Sequence, residues 1–169
     1  MAVLQKFVRK VKSLLGGSAG GVIQKTPRII PASVHGIRPE LVAWQAIRTC
    51  EALQRRGFKA YVVGGAVRDM LLGVKPKDFD VATDATPEEV KACQKRAIII
   101  GRRFRLVHVI FGREVIECAT FRSLDTEGVR KDAAGRVISD NIFGEMWEDA
   151  ARRDFTINAM AWSLNAGSF

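Results

Sequence analysis

Gly64-Gly65-Ala66-Val67-Arg68-Asp69, followed a short way on by Asp78-Phe79-Asp80, decides the reading of this chain. In an extended segment alternate side chains share a face, so Asp78 and Asp80 project together, their Cα atoms about 6.5–7 Å apart. Phe79 and Val81 leave by the opposite face and can bury themselves. Paired acids on one edge, beside a glycine turn that opens a helix, suit a divalent cation and nucleotide phosphate. A surface strand ending in solvated aspartates is the plainer alternative for an isolated pair. Its neighbours favour the chemical reading.

The glycine pair lets the backbone turn tightly and approach a bound phosphate, while the helix that follows aims its amides at the anion. Arg68 adds a planar cation that matches phosphate oxygens. Asp69 serves equally as a helix-start charge or as the ion-pair partner of a neighbouring arginine.

Working outward, Lys59 to Val63 reads as a short strand and Gly73 as the stop of the helix through Met70, Leu71 and Leu72. Lys77 to Ala82 reads as a second strand. Thr86-Pro87-Glu88-Glu89 is a helix start with a capping box and proline in the first turn. Ile98 to Ile100, Leu106 to Phe111 and Val115 to Phe121 read as strands, the last two joined at Gly112-Arg113. Upstream, Pro39-Glu40 opens a helix expected to run to about Arg56, with Leu41, Trp44, Ile47 and Leu53 as its apolar stripe. Residues 123 to 141 read as a mobile polar loop, and two helices are expected at Glu145 to Arg152 and from Asp154 onward. Interleaved strands and helices predict an α/β (α+β) layer, a mixed sheet flanked by helices.

At 169 residues the chain suits one core-bearing domain plus a tail. Its net charge of +9 calls for an acidic partner, nucleic acid first and membrane headgroups second. No apolar run reaches the length of a bilayer span. Cys50, Cys93 and Cys118 are odd in number and scattered, which reads as reduced thiols in a cytoplasmic protein, not a disulfide frame or zinc site. No acid precedes Glu40, and Val3, Leu4, Phe7, Val8, Val11, Leu14 and Leu15 fall at helical spacing among lysines and arginines. Residues 1–36 are therefore expected to be a basic amphipathic extension and linker, open to a transit role, weak membrane-surface contact or RNA contact, or to no role at all. Residues 37–169 form the expected domain.

Further polar groups converge on the same chemistry. On the strand Glu114 to Arg122, Glu117 shares its face with Val115, Ala119 and Phe121. A carboxylate there needs a cation or hydrogen-bond donors, making it a candidate third acid or a structural ion-pair member. Arg152-Arg153-Asp154-Phe155-Thr156-Ile157-Asn158 offers two arginines, an N-cap aspartate and an asparagine a turn on, a clamp for ribose and phosphates. Arg102, Arg103 and Arg105 beside Phe104 suit a nucleic-acid surface or a solvated edge. His35 and His108 stand alone, the latter expected in the core.

Together, Tyr61 to Asp69, Leu71-Leu72-Gly73, Asp78 to Thr83 and Arg152 to Ala159 resemble the class II nucleotidyltransferases, the family of bacterial poly(A) polymerases and CCA-adding tRNA enzymes. Ile29-Ile30-Pro31, His35-Gly36-Ile37, Pro76-Lys77, Gly101 to Val109 and Asp140 to Gly144 bring the likeness closer to the bacterial poly(A) polymerases. The resemblance implies a nucleotidyltransferase head (palm) domain that adds AMP from ATP to RNA 3′ ends by two-metal phosphoryl transfer, with CCA addition as the alternative. It implies Mg²⁺ on Asp78 and Asp80, with Glu117 and Asp154 as further catalytic acids. Nucleotide contacts would come from Gly64, Gly65, Arg68, Arg122, Arg153, Asp154 and Asn158. The family's helical neck and body segments are expected to be missing here, since Asn165-Ala166-Gly167-Ser168 departs from its pattern. A non-catalytic RNA-binding module that keeps the head fold is the rival of another class.

Overall fold

Alternation builds the sheet. Val107 and Val109, Ile116 and Cys118, Val81, and Ala60 and Val62 point to one side of four neighbouring strands and are all buried in one core cluster. In the computed structural model, residues 28–102, 104–124, 130–131, 137–139 and 142–164 are described, the 130–139 strands as backbone alone. The expected N-terminal amphipathic helix lies outside these residues.

A four-residue helix, α1 (Ala32–His35), falls within the stretch expected to be linker and ends on Gly36 at φ 69°. The helix expected from Pro39 is instead split. Pro39–Leu41 forms a 3-10 turn, the backbone opens at Val42 and Ala43, and α2 begins afresh at Trp44, running to Gln54. The break rotates the apolar stripe. Ala46, Thr49, Cys50 and Leu53 face the core, while Leu41 and Trp44 are exposed, Trp44 meeting Phe111 edge-on at 5.3 Å.

From there the order is β1 (Ala60–Val63), α3 (Gly65–Leu72), β2 (Asp80–Thr83), α4 (Pro87–Cys93), β3 (Ala97–Ile100), β4 (Leu106–Phe111) and β5 (Glu114–Thr120). Two short strands, β6 (Arg130–Lys131) and β7 (Val137–Ser139), pair antiparallel within the stretch expected to be a loop. Then come α5 (Met146–Ala151), a 3-10 turn at Thr156–Asn158, and β8 (Ala161–Trp162). The helix expected from Asp154 is thus one 3-10 turn feeding a strand.

The main sheet has the order β3-β4-β5-β2-β1-β8. Only β2 and β5 run parallel; every other pairing is antiparallel. Helices α2 and α4 cover one face of it. The predicted capping box holds α4: Glu89 N donates to Thr86 Oγ1 at 3.4 Å and Thr86 N to Glu89 Oε2 at 2.8 Å. Burial pushes the thiols of Cys50 and Cys118 up, Cys50 to about 12, which keeps them inert; all three cysteines are free and Cys93 is half-buried.

The opposite face divides in two. Over β1, β2 and the end of β5, Tyr61, Val63, Ala82 and Phe121 form a second small cluster against Met146 of α5 and Ala161. Over β3 and β4 the face is open, with Ile98 and Val115 exposed. The polar row of the sheet crosses the boundary between these halves.

Candidate active site

Register places that row. Asp80, the first residue of β2, stands opposite Val63 of β1 on one side and Glu117 of β5 on the other, and Glu117 stands opposite His108 of β4. Directly paired residues share a face of a sheet, so Asp80, Glu117 and His108 lie side by side on the face away from α2 and α4. The strand starts at Asp80, not Lys77, so Asp78 sits in the exposed segment leading into it. Phe79 packs against the core and Val81 is buried, as the alternation requires.

Asp80 is accessible at the sheet's edge, yet its carboxyl is crowded. Desolvation raises its pKa first, the neighbouring Glu117 raises it further, Arg153 acts in the lowering direction, and Asp78 adds another upward push. Negative charge has therefore been gathered at this point in excess of what one arginine offsets. His108 Nε2 lies 4.0 Å from Glu117 Oε2. His108 is thus not the core residue expected, because alternation turns Val107 and Val109 inward and His108 out to the site's face. Glu117 is more open than expected too, its side chain 43% exposed, because no described helix covers that end of the face.

A wall rises beside the acids. Gly64, at φ 74° and ψ −140°, takes a conformation open essentially to glycine alone and starts α3 with no side-chain cap. A side chain at this position would stand 3.7 Å from Arg153 Nη1 and 3.8 Å from Asp80 Oδ2. The glycine turn, Arg153 and the strand acid therefore meet at one point. A Cβ on Gly65 would come within 3.4 Å of Arg68 Nη2, so the guanidinium lies folded over the bare start of the helix. Asp69 Oδ1 accepts from Arg68 Nε at 2.9 Å, and Asn158 Oδ1 accepts from Arg68 Nη1 at 3.2 Å. The backbone oxygen of Asn158 also accepts from Arg153 Nη1 at 3.4 Å. Asn158 thus ties the two arginines together, and Asp69 is the ion-pair partner its alternative reading described.

Gly64, Gly65, Arg68, Arg153 and Asn158 are in this way brought together with Asp80 and its acidic neighbours. Arg122 and Asp154 are placed otherwise. The Arg122 guanidinium carbon lies 4.8 Å from the centre of the Phe104 ring, and its amide donates to Asp149 Oδ1 at 3.3 Å. Asp154 is exposed and caps nothing, because the turn after it starts only at Thr156 and takes Phe155 as its N-cap. Of the basic cluster near Phe104, Arg105 is paired with Glu88 of α4.

Two residues escaped the sequence reading. Asp149 bonds Arg153 Nη2 at 3.0 Å, and its spacing of four from Arg153 on a helix was the available signal. For His108 the hairpin turn was the signal: closing at Gly112-Arg113, it pairs Phe111 with Glu114 and hence His108 with Glu117.

Among the described residues no three Asp, Glu, His or Cys side chains form a ready cluster for a metal. The donor chemistry nonetheless fits magnesium. Carboxylate oxygens are the hard ligands this ion takes, and Asp80 sits in an excess of negative charge that a cation would relieve.

A mixed sheet thus carries two acids beside a glycine-opened helix, with an arginine pair next to them. Residues 60–169 match the poly A polymerase head domain family. The chain is 46% identical over 141 residues to poly(A) polymerase I of Haemophilus influenzae, covering 80% of this chain and 31% of that one. It is 45% identical over 166 residues to poly(A) polymerase I of Salmonella typhi, covering 94% and 36%. Among solved structures it is similar to the Bacillus stearothermophilus CCA-adding enzyme in complex with CTP, with a TM-score of 0.57 and 35% identity over 73% of this chain and 28% of that one. The chain belongs to the poly A polymerase head-domain family, within the class II nucleotidyltransferases. It spans about a third of the length of the curated relatives it matches.

Proposed function

We propose that this chain carries the catalytic head of a poly(A) polymerase, adding AMP from ATP to RNA 3′ ends without a template. The observation that supports it most is the meeting of Gly64, Asp80 and Arg153 within 4 Å of one point. In the reaction the RNA 3′-hydroxyl loses its proton to solvent as its oxygen forms a bond to the α-phosphorus of ATP, the bond from that phosphorus to the bridging oxygen breaks, and pyrophosphate departs with the electron pair. Gly64 and Gly65 leave the backbone bare for the triphosphate, the uncapped start of α3 turns its amides to it, and Arg68 and Arg153 balance its charge. Asn158 fixes the spacing of those two arginines. Asp78 and Asp80 would hold Mg²⁺, with Glu117 beside them, and a magnesium ion bound there supplies Lewis-acid stabilisation of the transferring phosphoryl group.

Poly(A) addition is favoured over CCA addition by the 45% identity to a poly(A) polymerase across 94% of this chain. The basic charge fits an RNA substrate, and a cytoplasmic setting is proposed on the reduced cysteines. Incubation with a short RNA, Mg²⁺ and labelled ATP tests the reading: a ladder of added A is expected. A stop after CCA on tRNA would assign the sister activity, and RNA bound but never extended would leave a binding module.

A further inference from the structure

The position of Arg153 poses a physical question. Arg153 Nη1 and Asp80 Oδ2 both lie within 4 Å of the point where a side chain on Gly64 would begin, yet no direct ion pair joins the two among the described residues. Opposite charges this near attract strongly at a partly desolvated edge, and an arginine on a flexible stem would close onto the acid unless held. What holds it is a pair of acceptors on its far side. Asp149 Oδ2 takes Nη2 at 3.0 Å and the Asn158 backbone oxygen takes Nη1 at 3.4 Å.

Asp149 is itself well fixed. Its side chain is 18% exposed, it sits on α5 four residues before Arg153, and its second oxygen accepts the Arg122 amide at 3.3 Å. That bond anchors the carboxylate to the backbone just beyond the C-terminal end of β5. Only two of the five guanidinium donors of Arg153 are engaged with described residues, so the others remain for an anion.

We infer that Asp149 is a positioning residue that holds the Arg153 guanidinium at a stand-off from Asp80, leaving the arginine's free donors for the triphosphate and the aspartate's oxygens for a cation. Without Asp149 the guanidinium closes onto Asp80, and the two groups the reaction needs separately neutralise each other. This inference rests on the proposed nucleotide site.

The test uses Asp149→Asn, whose amide oxygen still accepts from Arg122 while its NH₂ meets Arg153 donor to donor. Equilibrium binding of Mg²⁺·ATP is measured by calorimetry on the 169-residue chain, alone and in an Arg153→Ala background. Loss of one charge-assisted hydrogen bond is expected to weaken ATP binding about tenfold when Arg153 is present, and by less than about twofold when it is absent, the coupling expected of residues acting together. Asp149→Ser, measured alongside with a melting curve for each variant, answers the same question should the asparagine variant not fold. An equal loss in both backgrounds would make Asp149 merely structural and overturn the inference. So would unchanged binding in a folded Asp149 variant with Arg153 present. If the unaltered chain binds no ATP at all, the nucleotide site fails, and the inference with it.

Discussion

The floor and the wall of the site are built on different principles. On the floor, Asp80, Glu117 and His108 are set side by side by the backbone ladder of β2, β5 and β4, and their side chains do little to hold one another: among the described residues the one ion pair of the three, His108 to Glu117, spans 4.0 Å. On the wall, Arg68, Arg153 and Asn158 come from a helix and the segment after α5, and three side-chain-to-side-chain hydrogen bonds and one to a backbone oxygen fix them at 2.9 to 3.4 Å. Charge on the floor can therefore be changed without disturbing the fold. On the wall each substitution moves its neighbours.

The largest expected effect falls on the floor. Asp78→Asn or Asp80→Asn removes a hard ligand from an already small set. Loss of several kcal/mol of charge stabilisation should lower AMP incorporation by on the order of 10³-fold or more. Circular dichroism should be unchanged, since the ladder and not the carboxylates sets the strand. Wild-type turnover in either variant would break the contrast at its stronger end.

Next comes the wall. Arg68→Ala removes a cation held by Asp69 and Asn158, and the loss of charge-assisted bonds to phosphate should raise KM for ATP about ten- to a hundredfold. Asn158→Ala keeps the backbone oxygen that Arg153 meets but loses the Oδ1 acceptor of Arg68, so it should weaken ATP binding without removing any charge. An Asn158→Ala enzyme with unaltered KM would show that Arg68 is placed without its bond to Asn158 Oδ1.

Floor and wall were unequally legible in the sequence for this same reason. The period-2 alternation of Val81, Ile116 and Cys118 and the turn at Gly112-Arg113 are local signals, and they located β2, β4 and β5 to within a few residues. The capping box of Thr86 and Glu89 was equally local. The parallel register that sets Asp80 against Glu117 joins strands far apart in the chain, and no local pattern encodes it. Arg68 and Asn158 are 90 residues apart, so their bond was out of reach, although the segment from Arg152 to Asn158 already read as a clamp for ribose and phosphates. The N-cap assignment of Asp154 failed because a capping residue type was present without a helix to cap.

The two glycines at the joint sharpen the comparison. Gly64→Ala forces an alanine into φ 74° and ψ −140°, at a cost of about 1–3 kcal/mol visible in urea denaturation. Gly65→Ala has helical backbone and should cost little stability, but its methyl stands 3.4 Å from Arg68 Nη2 and should displace the guanidinium. ATP affinity should fall in Gly65→Ala while its denaturation midpoint stays close to the original. Equal stability losses in both would mean that crowding, not backbone strain, governs the turn.

The smallest effect is the most diagnostic of how the floor is charged. Burial and the acids at 117 and 78 raise Asp80 above its unfolded value, so the folded protein binds a proton there more readily than the unfolded chain. Stability from this group is then full below the ordinary carboxylate range and is lost as pH rises through the raised folded value. At pH 7 wild-type protein bears that loss and Asp80→Asn does not, so the inactive variant should melt slightly higher. The difference should shrink as pH falls toward the carboxylate range and the wild-type acid takes up its proton. Arg153 is the opposing influence, so removing it should enlarge the gain from Asp80→Asn. If instead Asp80→Asn melts lower at pH 7, attraction to Arg153 outweighs burial and acid repulsion, and the floor is held by the wall after all.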